Sequence, residues 1–409
     1  MDGNDRALTA FAMLGHATFH TYELVVPILV VVWLDTFSTS AALLGVVVGA
    51  SYACTGIGAL PSGVLADRFS ARRLVVASMA GMGAGFLLVS LASGLATLAV
   101  GLLVWGAAAS VYHPAGLSLI SRGAKERGTA FAYHGVAGNV GVATGPLLGA
   151  VLLAFFGWRT VAALLVVPAV VGVVLALRLE FDETAAVDPD APVTDGGGDG
   201  DAAGGLRGFA ADSRLLFAGG FLLVFLVGNL YGLYYRGAFT FLPEVLAGLA
   251  LFDPVSVAGR AFAPSQYVYS GLLVLGGAGQ FLGGKLVDRF PAERVLVANF
   301  AVLAAVALAF VPAANAGLGP LLVVSGMLGF FVFLEAPVNQ EVISRHVPAE
   351  LRGLSFGWTY IAVFGVGALG SAVAGIVLTR WSPAVLFGIL AAFAGLAGLV
   401  GLYLHRRTD

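Results

Sequence analysis

The sequence predicts an all-α membrane protein whose twelve transmembrane helices form two pseudo-symmetric six-helix bundles, and three observations carry that prediction. Of the 409 residues, 59% are hydrophobic and only 11% are charged, too apolar a balance for a soluble globular chain. Apolar stretches of about 20 residues, enough to cross roughly 30 Å of hydrocarbon at 1.5 Å per residue, recur along nearly the whole length. Patterns in the first half also return in the second, as in a duplicated architecture.

The expected spans run 7–34, 40–66, 72–92, 95–121, 127–156 and 158–179, then 213–246, 265–287, 294–314, 317–345, 352–379 and 383–405. The first is too long for a cleavable signal and no small-residue cleavage site follows it. Basic turns punctuate the others: Arg68, Arg72 and Arg73 between the second and third, Arg122, Lys125 and Arg127 between the fourth and fifth, and Lys285, Arg289 and Arg294 between the eighth and ninth. With both termini in the cytoplasm, only Arg159, Arg260 and Arg380 of the 21 Lys and Arg fall outside, and Arg236 lies within a helix. By the positive-inside rule this fixes the orientation of a multi-pass protein of the cytoplasmic membrane. Cys54 is the single cysteine and lies in an apolar helix, so no disulfide is expected.

Residues 180–212 break the pattern. This Asp-, Gly-, Ala- and Pro-rich stretch cannot bury a core and reads as an acidic, flexible cytoplasmic linker between an N-terminal bundle (1–179) and a C-terminal bundle (213–409). The halves echo each other: GVLADRFSARRLV at 63–75 matches GKLVDRFPAERVL at 284–296, and HPAGLSLISR at 113–122 matches APVNQEVISR at 336–345. Each match lands on the same helix of its half, which places a substrate path between the halves.

On these motifs the chain, apart from linker and tails, resembles the major facilitator superfamily. The resemblance implies that fold, and it implies a cytoplasmic charge latch made by Gly63, Asp67, Arg68 and Arg72 with Gly284, Asp288 and Arg289, favouring an outward-open state. In this chain Ser70-Ala71-Arg72 replaces the family's usual Gly-Arg-Arg continuation. The same charges also serve simply to enforce topology. In the fifth helix, GVAGNVGVATGPLLG puts Gly141, Gly145 and Gly149 one turn apart beside Pro146. It resembles the motif of family members that exchange solute for protons, and plain close packing of helices accounts for the glycines equally.

GHATFHTYELVVPIL (15–29) places His16, His20 and Glu23 at i, i+4 and i+7, on one face of the first helix together with Pro27. Ionisable groups at such depth usually face protein or water and serve a function. His113, beside Tyr112, and His134, one turn before Asn139, fall at depths similar to that of His16. Histidines near a membrane carboxylate can take up and release protons at working pH, or they can fix packing through backbone hydrogen bonds. A metal site from His16, His20 and Glu23 lacks further ligands nearby in sequence, so no metal and no cofactor are expected. In the other half, Arg236 either holds an anion in its planar fork or neutralises Glu335, which shares a helix face with Asn339. Tyr231 and Tyr235 line the same helix as Arg236, and Tyr360 completes the candidate pathway.

GHATFHTYELVVPIL and YHPAGLSLISR are similar to patterns in fosmidomycin-resistance-type exporters, which carry Asn-Asp where this chain has His20-Thr21. The expected function is a secondary active transporter working by alternating access as a monomer in the lipid bilayer. Proton-coupled export, by antiport, of a drug-like or metabolite anion is the leading reading, with proton-coupled uptake of an organic anion by symport as the alternative. Another class is a non-transporting membrane receptor or scaffold. No nucleophile stands at readable spacing from a base, so enzyme chemistry is not expected, and neither is nucleic-acid binding.

Overall fold

The computed structural model describes residues 1–187, 205–348 and 351–408; the side chains of residues 67, 205–207, 353 and 408 also lie outside the described set. The N-terminal half comprises α1 (Gly3–Thr36), α2 (Ala41–Ile57), α3 (Ala59–Arg68), α4 (Ala71–Ser90), α5 (Leu95–Gly123), α6 (Arg127–Leu153), α7 (Trp158–Leu164) and α8 (Val166–Arg178). Polar caps set several starts: Asp2 accepts from the Asp5 amide, Ser40 from Leu43 and Ser70 from Arg73. α2 and α3 form one crossing bent at Gly58, and α7 and α8 form another.

The C-terminal half comprises α9 (Gly205–Ala218), α10 (Phe221–Phe239), α11 (Leu242–Ala247), α12 (Pro264–Val287), α13 (Ala292–Ala316), α14 (Leu318–His346), α15 (Arg352–Tyr360), α16 (Leu369–Arg380) and α17 (Pro383–Thr408). A two-stranded hairpin, β1 (Val255–Val257) and β2 (Arg260–Phe262), lies between α11 and α12. Its turn carries Ala258 and Gly259, both at positive φ. Among the described residues, eleven helical segments are long and apolar enough to cross a bilayer. The expected eighth crossing, α12, is a 24-residue helix diluted by Gly, Gln and Tyr, yet it packs along α14 and α6.

Three departures from the sequence reading have clear causes. The seventh span is not continuous. Gly219 and Gly220 separate α9 from α10, and Pro243, which has no amide hydrogen to donate, starts α11 as a new helix. The eleventh is interrupted by a π-helical segment, Ile361–Val366, between α15 and α16. Such wide turns in otherwise regular helices are frequent at functional sites. Nor is the linker free along its described parts. Glu183 accepts from the Ser70 hydroxyl at 2.6 Å and the Arg72 amide at 3.1 Å, placing a carboxylate at the N-terminus of α4. The amide and hydroxyl of Thr184 hold the Asp182 carboxyl below its usual range. At the far end, Phe209 of α9 stacks on the Trp358 indole at 6.1 Å. Residues 188–204 of the linker lie outside the described residues.

The bundles meet mainly through α2 against α16 and the π segment, and through α6 against α12. At the end away from the termini the contact is close: the Ala42 amide donates to Thr379 Oγ1 at 2.9 Å, and the Phe155 and Phe262 rings meet edge to face.

Candidate functional site

The Gly141, Gly145 and Gly149 stripe determines where α6 lies. A Cβ on Gly141 would strike the Ala17 carbonyl, one on Gly145 the Thr21 carbonyl, and one on Gly149 would come within 2.5 Å of Val25 Cγ2. Residues 17, 21 and 25 are one turn apart on α1, so the motif is a backbone-to-backbone seam of the small-residue kind. Pro146 lies within the same seam. Gly145→Val is expected to force α1 and α6 apart and lower thermal stability by about 1–3 kcal/mol, measured by fluorescence-detected unfolding in detergent. An unchanged midpoint would mean that the seam tolerates bulk.

Close approach of α6 brings His134 onto His16, with ring centroids 3.8 Å apart and nearly parallel. His16 Nδ1 reaches the His134 carbonyl at 2.7 Å, and its Nε2 meets His20 Nε2 at 3.1 Å. His20 Nδ1 in turn reaches Glu23 Oε2 at 2.7 Å. From α5, Tyr112 donates to the Ala12 carbonyl at 2.6 Å and contacts His134 Nε2 at 3.0 Å. His113 lies edge-on to His16 at 5.2 Å and approaches Tyr360 at 5.3 Å. The ligand atoms of His16, His20 and His113 lie within 4.8 Å of one another, a group that could take a metal ion. The nitrogens of His16 and His20 are turned on each other in a hydrogen bond, and no ligation is assigned to them.

Glu23 closes the site across the two bundles. Its Oε1 accepts from Arg236 while Oε2 takes His20, and the two charged side chains are 1% and 3% exposed. The Arg236 guanidinium stands 3.6 Å over the Tyr52 ring and within 5.1 Å of Tyr235 and 5.3 Å of Phe364. Tyr52 also donates to the Glu23 carbonyl at 3.1 Å, so α1, α2 and α10 are tied at one point. Behind Arg236, its carbonyl accepts from Thr240, whose hydroxyl meets that of Ser371 at 2.7 Å. Two charges taken out of water cost several kcal/mol each, so the pair persists only because each charge has its partner.

The expectation that Arg236 neutralises Glu335 is not met: its Nη2 bonds Glu23 instead, and its Nε is buried without a hydrogen-bond partner among the described residues. Glu335 Oε1 and Asn339 Oδ1 are buried without a hydrogen-bond partner among the described residues. Tyr231 donates to the Val332 carbonyl at 3.1 Å, and Asn139 faces Gly277 of α12 across the bundle boundary. Among the described residues, the expected latch makes no bond across the boundary. Arg72 donates to carbonyls of α8 in its own half, Asp288 pairs with Lys285 at 4.0 Å, and Arg68 and Arg289 are exposed. Gly63 and Gly284 are half-buried with open space where a Cβ would go, and the Asp67 side chain lies outside the described residues. Sequence reasoning missed Tyr52 and Phe364. An aromatic in an apolar helix gives no sign that a cation rests on its face, whether from the other bundle, as at Tyr52, or from its own, as at Phe364.

A sequence profile of the Major Facilitator Superfamily matches residues 9–358 and again 259–409. A Na(+), Li(+), K(+)/H(+) antiporter of Planococcus maritimus is 26% identical over 371 residues, covering 85% of this chain and 84% of its own. The crystal structure of a D-xylose-proton symporter aligns with a TM-score of 0.74 at 16% identity, covering 97% of each chain. A bacterial homologue of the human lysosomal transporter Spinster, inward-facing and occupied, aligns at 0.72 and 14% identity over 99% of this chain and 98% of its own. At such identities the likeness to the solved structures is one of fold.

Proposed function

The chain belongs to the Major Facilitator Superfamily, and from that premise we propose that this secondary transporter carries a small organic anion together with a proton. One observation carries the reading: Glu23 bridges the bundles, with one oxygen on Arg236 and the other on a histidine. While Glu23 is ionised it holds Arg236 Nη2, one arm of the fork that an anion would need. A proton arriving through His20 neutralises the carboxylate and frees Arg236 for the solute, so proton and anion bind together. This favours symport over exchange, in which the two should exclude each other. Reorganising the bridge then changes which bundle contacts are worth making, and the two access states shift in population. The latch, whose described residues make no pair across the boundary in this state, is assigned to the opposite one. The distribution of Lys and Arg supports an orientation with both termini in the cytoplasm.

A second reading has its own support in the relative's name: a monovalent cation exchanged for a proton at Glu23. Purified protein in liposomes loaded with a pH-sensitive dye tests both. External addition of carboxylates and phosphonates from a panel is expected to acidify the lumen for at least one member. Alkalinisation by Na⁺, Li⁺ or K⁺ would establish cation exchange, alkalinisation by an anion would establish anion antiport, and ligand binding with no dye response would favour a receptor.

A further inference from the structure

We propose that the facing imidazoles of His16 and His20 form a proton store, occupied in this conformation, that loads Glu23. The proposal deepens the coupling reading above, but it stands on hydrogen-bond directions alone. A carbonyl and a carboxylate oxygen only accept. His16 Nδ1 faces the His134 carbonyl, so it carries a hydrogen. His20 Nδ1 faces the Glu23 carboxylate, so that contact also needs one. Between them the two Nε2 atoms are 3.1 Å apart, a hydrogen-bond distance that requires a third. Two neutral imidazoles bring only one N–H each. The line from Glu23 to the His134 carbonyl therefore holds one added proton, without which a nitrogen lone pair would face either the other nitrogen or the carboxylate.

The neighbouring groups do not supply it. Tyr112 gives its single hydrogen to the Ala12 carbonyl, so its oxygen accepts from His134 Nε2, which accounts for the one N–H of a neutral His134. His113 of α5 meets both rings edge-on, at 5.2 and 5.8 Å, and makes no hydrogen bond to either. Tyr360, from α15, stacks on Phe364 and lies tilted against His113 rather than against the pair. Arg236 of α10 stands on the far side of Glu23. With Arg236 and the added proton facing one carboxylate, the occupied centre carries a net positive charge that an anionic solute would balance.

The transfer step conserves one proton. The hydrogen on His20 Nδ1 crosses to Glu23 Oε2, which neutralises the carboxylate and releases Arg236 to the anion, and His20 remains neutral, donating from Nε2 to His16. On return to the opposite side Glu23 gives the proton back or releases it to water. Once the proton has left and Glu23 is ionised again, the single hydrogen of neutral His20 returns to Nδ1, where the bond to a carboxylate is the stronger one, and the Nε2 pair parts.

The test uses the full chain in lipid, labelled with ¹⁵N at its 6 histidines, and reads nitrogen–nitrogen coupling through the hydrogen bond. At pH 5.5–6 a coupled Nε2 pair is expected, absent in His16→Gln and in His20→Gln. On raising the pH the coupling should vanish while both rings shift at one shared midpoint. Separate midpoints with no coupling at any pH would overturn the proposal, as would one equivalent of tightly held metal whose chelation alone abolishes the coupling. The wild-type spectra decide even if a variant misfolds. Coupling present in a protein that moves no protons in liposomes would sink the transport reading and keep the store; the converse would do the opposite.

Discussion

Glu23→Gln abolishes uphill, proton-driven accumulation of the solute while leaving exchange of labelled for unlabelled solute running. Glutamine cannot carry the proton, yet it resembles the protonated acid in shape and neutrality, so it leaves Arg236 available to an anion. Accumulation in liposomes under an imposed pH gradient should fall to the level of protein-free vesicles. Exchange should stay within about tenfold of wild type, a difference of about 1.4 kcal/mol in the barrier. The substitution strands a buried cation, and breaking such a pair costs roughly 3–5 kcal/mol. The variant should therefore be less stable than wild type when empty and recover stability when an anion binds. Pairing it with Arg236→Gln removes both charges and should restore stability without restoring accumulation, which separates loss of coupling from loss of fold. Undiminished accumulation in Glu23→Gln would remove the carboxylate from the coupling scheme.

Much of this centre was legible from one helix. A rotation of 100° per residue puts His16, His20 and Glu23 on a single face, and the cost of buried ionisable groups says that the face looks inward. The glycine stripe on α6 was legible as a packing surface, because small residues one turn apart have few other reasons to recur. What a single helix cannot encode is its partner. Arg236 had two carboxylates to choose between, Glu23 and Glu335, and the choice was made by how closely the bundles approach at α1, α2 and α10. Tyr52 and the π turn at Ile361–Val366 come from the same source. The contacts at the described ends of the linker were not legible for a different reason. Composition reports the average tendency of a stretch, whereas Glu183 is held by one helix terminus and Phe209 by the ring of Trp358.

Arg236→Lys tests the other pole of the bridge. Lysine preserves the charge, so the buried Glu23 keeps a counter-ion and the fold should survive with a modest loss of stability. It does not preserve the planar fork, and an ammonium is a poor substitute for the guanidinium lying 3.6 Å over Tyr52. Solute affinity should fall at least about tenfold, or about 1.4 kcal/mol, with proton coupling retained in what transport remains. A double-mutant cycle with Tyr52→Leu should give an interaction of about 0.5–2 kcal/mol, because the ring's contribution depends on the cation it faces. Affinity unchanged by Arg236→Lys, with stability lowered, would make Arg236 a structural counter-ion. The anion would then need another donor set, and the symport reading, which depends on Glu23 vacating that fork, would fail with it.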